Sequence, residues 1–298
     1  MHAPSRLVIP PTFEGRPLPH PDEPVFDQGL AFDVETLLNR RQVLRAMGYG
    51  AVGAGLFALV GCGPAISSAT PGATAGGALP TSSETLAECT TIPEETAGPY
   101  PGDGTNGPDV LNQSGVVRAD IRSSFGSSTM VASGVPLTIR LAILDLAKSC
   151  APIDGAAVYL WHCDQAGRYS LYSAGATNEN YLRGVQAAGA DGIVTFTSIF
   201  PACYPGRWPH VHFEVYPSLE KATDAGNKIA TSQIALPEDI CSQVYATSGY
   251  EQSVQNLAGV SLARDNVFGD DGGVHELGAI SGAIASGLTV DLSVPVQA

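Results

Sequence analysis

Two short clusters hold the side chains best suited to chemistry. The first is Trp161-His162-Cys163-Asp164-Gln165-Ala166-Gly167-Arg168-Tyr169, and the second is Cys203-Tyr204-Pro205-Gly206-Arg207-Trp208-Pro209-His210-Val211-His212-Phe213. Residues two apart on a strand face the same way, so the imidazoles of His210 and His212 can reach one metal ion. Imidazole suits iron, copper and zinc alike, and an HxH motif alone fits a solvated strand face just as well. Beyond residue 88 the only histidines are His162, His210, His212 and His275, so half of them sit in this one motif. Tyrosine narrows the choice. A phenol titrating near pH ~10 becomes a phenolate only when a strong Lewis acid binds it, which favours a hard ferric ion over zinc or ferrous iron. Two imidazoles with two phenolates leave Fe(III) one residual positive charge, open to an anionic ligand. Taken singly, each tyrosine is more often a packing residue; the combination carries the argument.

These clusters need strands to present them. Pro136 to Asp145, Ala156 to His162, Gly192 to Phe200, His210 to Tyr216, Lys228 to Ala235 and Leu288 to Val296 all read as short strands, several with clear alternation. Gly/Pro/Asp turns separate them, with a short helix expected over Pro237 to Ala246. The expected fold is an all-β antiparallel β-sandwich with long active-site loops and little helix. Composition agrees: 34 Gly, 22 Pro and only 15% charged residues suit a turn-rich β protein. The net charge of −14 argues against a nucleic-acid-binding face, since phosphates would be repelled.

Three regions divide the chain. Residues 1–61 read as an N-terminal extension and export signal. Arg40-Arg41 precede an uncharged Gly/Ala-rich run from Met47 to Gly61, which resembles a twin-arginine signal. The run is too short for a comfortable membrane span. It ends Leu59-Val60-Gly61-Cys62, which resembles a lipoprotein cleavage box with Cys62 as the lipidated residue. Residues 62–88, mostly Gly, Ala, Ser, Thr and Pro, are expected to form a flexible tether. Residues 89–298 are the folded domain. The expected address is outside the cytoplasm, with the membrane reached only through Cys62. In such a compartment the remaining cysteines, Cys89, Cys150, Cys163, Cys203 and Cys241, suit disulfides better than a zinc or redox motif. The expected pair is Cys203–Cys241, which would pin the loop carrying Tyr204.

Taken in order, Gly167-Arg168-Tyr169 after a strand ending Trp161-His162, then Tyr204, Arg207, His210 and His212, resemble the intradiol ring-cleavage dioxygenases. The upstream Thr91-Ile92-Pro93-Glu94-Glu95-Thr96-Ala97-Gly98-Pro99-Tyr100 is similar to the family's segment leading to the active-site rim. The resemblance implies a non-haem Fe(III) cofactor, with Tyr169 as the retained phenolate and Tyr204 as the one displaced by substrate. His210 and His212 would be the imidazole ligands, and Arg207 would lie beside the substrate ring. The implied partners are a small aromatic diol and O2. The interval from Tyr204 to Arg207 is short for the family, which implies a trimmed loop over the metal. Two other readings stay open: a catalytically silent extracellular β-sandwich that binds a ligand, and a zinc or copper site using only His210 and His212. The oligomeric state and the particular diol are not legible.

Overall fold

A computed structural model of the chain describes residues 89–298, together with the pairs 12–13 and 16–17. Arg40, Arg41, the apolar run, Cys62 and the tether lie outside the described residues. Two compact units divide between Thr85 and Leu86. In the first, β1 (Thr12–Phe13) pairs antiparallel with β2 (Arg16–Pro17).

The second unit is a sandwich of two sheets. One contains β3 (Pro136–Asp145), β4 (Ala151–Pro152), β7 (Ile193–Ile199), β10 (Ala279–Ala283) and β11 (Gly287–Val296), in the order β10-β11-β3-β4 with β7 also on β3. The other contains β5 (Ala157–Trp161), β6 (Arg183–Ala187), β8 (His210–Tyr216) and β9 (Ala230–Ala235), in the order β6-β5-β8-β9. Among the described residues the helices are few and short: α1 (Glu238–Tyr245), α2 (Glu251–Ala258) and several 3-10 turns. The sandwich is antiparallel except at one pair: β11 runs parallel to β3, from Leu288 opposite Leu137 to Val296 opposite Asp145.

Strand alternation explains where the core ends and the site begins. Leu137, Ile139, Leu141 and Ile143 of β3 meet Val158 and Leu160 of β5 and Val211, Phe213 and Val215 of β8 between the sheets. The even positions of β8 therefore point the other way. His210, His212, Glu214 and Tyr216 lie on the outer face of the second sheet, yet all are buried. The loops 97–111, 163–182 and 200–209 cover that face, packing Tyr169, Ala202 and Tyr204 against Tyr159 and Trp161 of β5.

The expected Cys203–Cys241 bridge does not form. Cys89 and Cys150 are joined instead, with Cα atoms 5.9 Å apart, and Cys163, Cys203 and Cys241 are buried free thiols. The reason is direction. The Cys203 thiol turns toward the Arg207 carbonyl at 3.6 Å, and that of Cys241 toward the Leu236 carbonyl at 3.8 Å. Burial pushes the Cys203 thiol up to about 12, so it is inert rather than reactive. The actual bridge reaches Cys150 through two consecutive left-handed residues, Ser149 and Cys150, that close the hairpin after β3.

From Cys89 the chain runs as a strap over the sheet edges. Ile92 N–H donates to Pro295 O at 3.0 Å, and Glu95 N–H to Thr231 O at 2.7 Å. The Glu94 carboxylate accepts from Thr231 N–H at 3.0 Å, so the strap enters the site already fixed to β11 and β9.

Candidate active site

Four sequence-singled side chains meet beneath these loops. His210 comes first on β8. Its Nδ1 donates to the Trp208 carbonyl at 2.5 Å, which fixes the tautomer and leaves Nε2 with a free lone pair. That lone pair faces the Tyr204 hydroxyl at 3.0 Å and His212 Nε2 at 3.1 Å. The His212 ring is held flat against Trp161, its register partner on β5, at 4.9 Å and 3°. The Tyr169 ring meets Tyr204 edge-on at 5.9 Å and His212 at 6.2 Å. Its hydroxyl is buried without a well-formed hydrogen bond, and so is His212 Nδ1.

Glycine and aspartate shape the turns that deliver the tyrosines. Asp164 accepts from the backbone N–H of Ala166 at 2.9 Å and of Arg168 at 3.0 Å, closing a tight turn before Tyr169. Gly167 sits in that turn at φ +80°, and a Cβ there would lie 3.3 Å from the Tyr204 Cβ. The Tyr204 loop is moored to α2: Cys203 N–H donates to Ser253 Oγ at 3.0 Å, and Asn256 donates to Cys203 O at 2.8 Å. Across the site the strap brings Gly98, at φ +68°, to within 3.3 Å of His212 Cε1 measured from where a Cβ would stand. The ring of Tyr100 then stacks on Tyr169 at 4.7 Å.

Burial sets the electrostatics. It holds both His210 and His212 well below the usual imidazole range, with the Arg207 charge adding to the effect. Burial likewise lifts Tyr169 well above the ordinary phenol value, and pushes Tyr204 up to about 12 against the pull of Arg207. The site is thus four neutral, desolvated donors, two of nitrogen and two of oxygen, turned toward a common point. Such an arrangement is costly unless a cation takes up the lone pairs. Among the described residues no group of three or more His, Cys, Asp or Glu has metal-holding geometry, so a full donor set here has to include the phenols.

Arg207 lies at the edge of this group, with its side chain 13% exposed. Its Nε meets the Asp265 carboxylate at 3.0 Å, and its Nη2 donates to Gln233 at 2.8 Å. Its guanidinium also covers the Phe268 ring at 5.9 Å. Asp265 and Gln233 were not anticipated. Gln233 faces His212 across the β8–β9 ladder, so its place on a strand in phase with the histidines was a usable signal. Asp265 comes from a turn far along the chain and had none. Arg183, also unanticipated, is buried behind the tyrosines and ties Ser170, Tyr159 and the carbonyls of Tyr100 and Pro101 together. His162 is not in the cluster: its ring bonds to Ser198 Oγ and the Cys163 carbonyl. His275 is exposed elsewhere. A surface cleft of about 340 Å³ lined by Asp120, Arg122, Ser133 and Ile199 contains none of these donors.

Comparison with known proteins shows what this arrangement resembles. Residues 106–214 match the family model described as Dioxygenase, a span that includes Tyr169, Tyr204, His210 and His212. A solved intradiol ring-cleavage dioxygenase from Tetranychus urticae is 25% identical, covers 70% of this chain and 95% of its own, and superposes with a TM-score of 0.56. A second solved dioxygenase is 26% identical over the same shares, also at 0.56. The dioxygenase domain of a dioxygenase–carbohydrate-binding fusion from Streptomyces sp. SirexAA-E is 22% identical, covering 70% and 99%, at 0.43. A search of curated proteins finds no match. The two-sheet sandwich and the matched span agree, and the chain is similar in both to the intradiol ring-cleavage dioxygenases.

Proposed function

We propose that the domain binds ferric iron through Tyr169, Tyr204, His210 and His212 and cleaves a catechol-type ring between its two hydroxyl-bearing carbons. The observation that carries this is the convergence on His210 Nε2 of Tyr204 Oη at 3.0 Å and His212 Nε2 at 3.1 Å, beside the unbonded buried hydroxyl of Tyr169. Bound there, iron would supply the Lewis acidity that draws both oxygens of a catechol and prepares its ring for O2. Both atoms of O2 enter the product, a muconate-type diacid.

The chain's own groups divide the remaining work. Tyr169 is wedged between the rings of Tyr100 and His212, and Tyr204, from the neighbouring loop, is the phenol bonded to His210. Its oxygen can accept a proton as the diol loses one, with His210 Nε2 at 3.0 Å to steady it. Arg207 places a fixed positive charge beside the ring, where negative charge gathers during attack on O2. Trp161, stacked on His212, excludes water from the rear of the site. A zinc or copper site on the two imidazoles alone would leave both tyrosine oxygens buried without use.

Iron-loaded protein is expected to be coloured, with a broad visible band from phenolate-to-iron charge transfer, and to consume O2 with catechol. A fully metallated but colourless protein that leaves catechol untouched would refute the proposal. Export and anchoring through Arg40-Arg41 and Cys62 are also proposed, supported by those residues and by the Cys89–Cys150 bridge, which suits an oxidising compartment. Cys62→Ser is expected to move the protein from the membrane fraction to the soluble one; an unchanged distribution would remove the anchor.

A further inference from the structure

Arg207 is the cation of the site, and its charge is already matched. Asp265, whose side chain is fully buried, accepts from Arg207 Nε at 3.0 Å and from the backbone N–H of Trp208 at 2.6 Å, Val267 at 2.9 Å and Phe268 at 3.2 Å. It is built into the turn, so it cannot swing aside when a ligand arrives. Gln233 holds the other edge of the guanidinium and is itself held through a bond to the Thr96 carbonyl at 2.8 Å.

The other nearby cations are committed as well. Every N–H of the Arg183 guanidinium is used, on Ser170, Pro101, Tyr159 and Tyr100. Arg168 pairs with Asp164 at 2.9 Å, and Arg264 Nε donates to Ser261 of its own turn at 3.2 Å. The segments flanking the site, 89–100 and 262–278, carry Glu94, Glu95, Asp265, Asp270 and Asp271 against the single cation Arg264. A ligand with its own carboxylate would be desolvated among acidic neighbours, with Arg207 already matched by Asp265 and the N–H groups of Arg183 already filled.

We propose that the site accepts catechol-type diols lacking an acidic substituent, and that Asp265 sets this selectivity by neutralising Arg207. The inference rests on the dioxygenase reading above. Asp265 acts through Arg207, so it is a positioning and charge-matching residue rather than one that touches the ring.

The experiment measures O2 uptake by the iron-loaded full chain with catechol and with 3,4-dihydroxybenzoate. Wild type is expected to favour catechol in kcat/KM by about tenfold or more. Asp265→Asn, which keeps an oxygen for the N–H groups of Val267 and Phe268 but frees the charge of Arg207, should narrow that ratio about tenfold, mainly through KM for the dihydroxybenzoate. Gln233→Glu adds a carboxylate beside Arg207 without disturbing the Asp265 turn and should widen the ratio. Mere structural damage would lower both substrates together and leave the ratio in place. If Asp265→Asn does not fold, the Gln233→Glu arm decides. Equal use of both substrates by wild type, or a ratio that moves in neither variant, overturns the proposal. A wild type with no visible band and no uptake of O2 on either substrate would instead overturn the dioxygenase reading and this inference with it.

Discussion

Replacing both cysteines of the Cys89–Cys150 bridge by serine is expected to cost about 4 kcal/mol of stability at 25 °C. The bridged residues are 61 apart in sequence. Closing a loop of that length removes about 14 cal/mol/K from the unfolded chain in the loop-entropy treatment, which multiplies out to the figure above. The native side should change little. The strap beyond Cys89 keeps its bonds from Ile92 to Pro295 and from Glu95 to Thr231 without the bridge. For a domain whose total stability is on the order of 5 to 15 kcal/mol, this is a large share. Urea unfolding of the oxidised wild type and the double serine variant measures it, with thiol titration before and after reduction verifying that the bridge is present. The variant should also unfold with a somewhat steeper denaturant slope, because its unfolded chain exposes more surface. A loss under about 1 kcal/mol with an unchanged slope would show that the bridge does not constrain the unfolded state.

Other outcomes follow from the site and its surroundings. Tyr204→Phe keeps the ring but removes the oxygen at His210; turnover should fall about 100-fold while stability changes by no more than about 1 kcal/mol, read by O2 uptake and melting. Unchanged turnover would remove Tyr204 from the proton chemistry. Gly98→Ala puts a methyl group 3.3 Å from His212 Cε1 at a φ of +68°. It should cost about 1 to 2 kcal/mol and reduce iron retained per chain, whereas full retention would mean the strap yields freely. Glu276 is pushed up to about 9 by burial and then by Glu95, Asp271 and Asp270. A carboxyl raised in the folded state contributes most at pH values below its ordinary range, and that contribution is lost as pH rises toward about 9. Glu276→Gln, a mimic of the protonated form, should therefore melt like wild type near pH ~4 and later than wild type near pH ~9. Parallel melting curves across that window would show that Glu276 does not titrate as described.

The strands that carry the histidines and the core could be read because their alternation is undiluted, as in Pro136 to Asp145 and His210 to Tyr216. β6 could not. Its Gly184 occupies a position where a Cβ would stand 2.5 Å from the Ile121 side chain, so close packing demands the residue that erases the pattern. β10 was missed because it is a largely exposed edge with almost no apolar face to show. In the site, the ligand candidates were legible because they cluster within two short stretches. Asp265 was not, since it bonds Arg207 from 58 residues away. The cysteine pairing failed for the same kind of reason: proximity to Tyr204 in sequence says nothing about where the Cys203 sulfur points.

The parallel ladder between β3 and β11 has a consequence for how the domain is born. β11 is the last of the strands to leave the ribosome, so one side of β3 stands open while about 140 residues are made. At the usual pace of synthesis that is an interval of about 7 to 30 seconds. During it, Ile139, Leu141 and Ile143 sit beside an unsatisfied backbone edge, a template for pairing with another nascent chain. Arg140, which later pairs with Asp291 of β11, places a charge on that edge in the meantime. Replacing it with an apolar residue should leave the finished protein nearly as stable but lower the yield of soluble chain, a cost visible in expression rather than in melting.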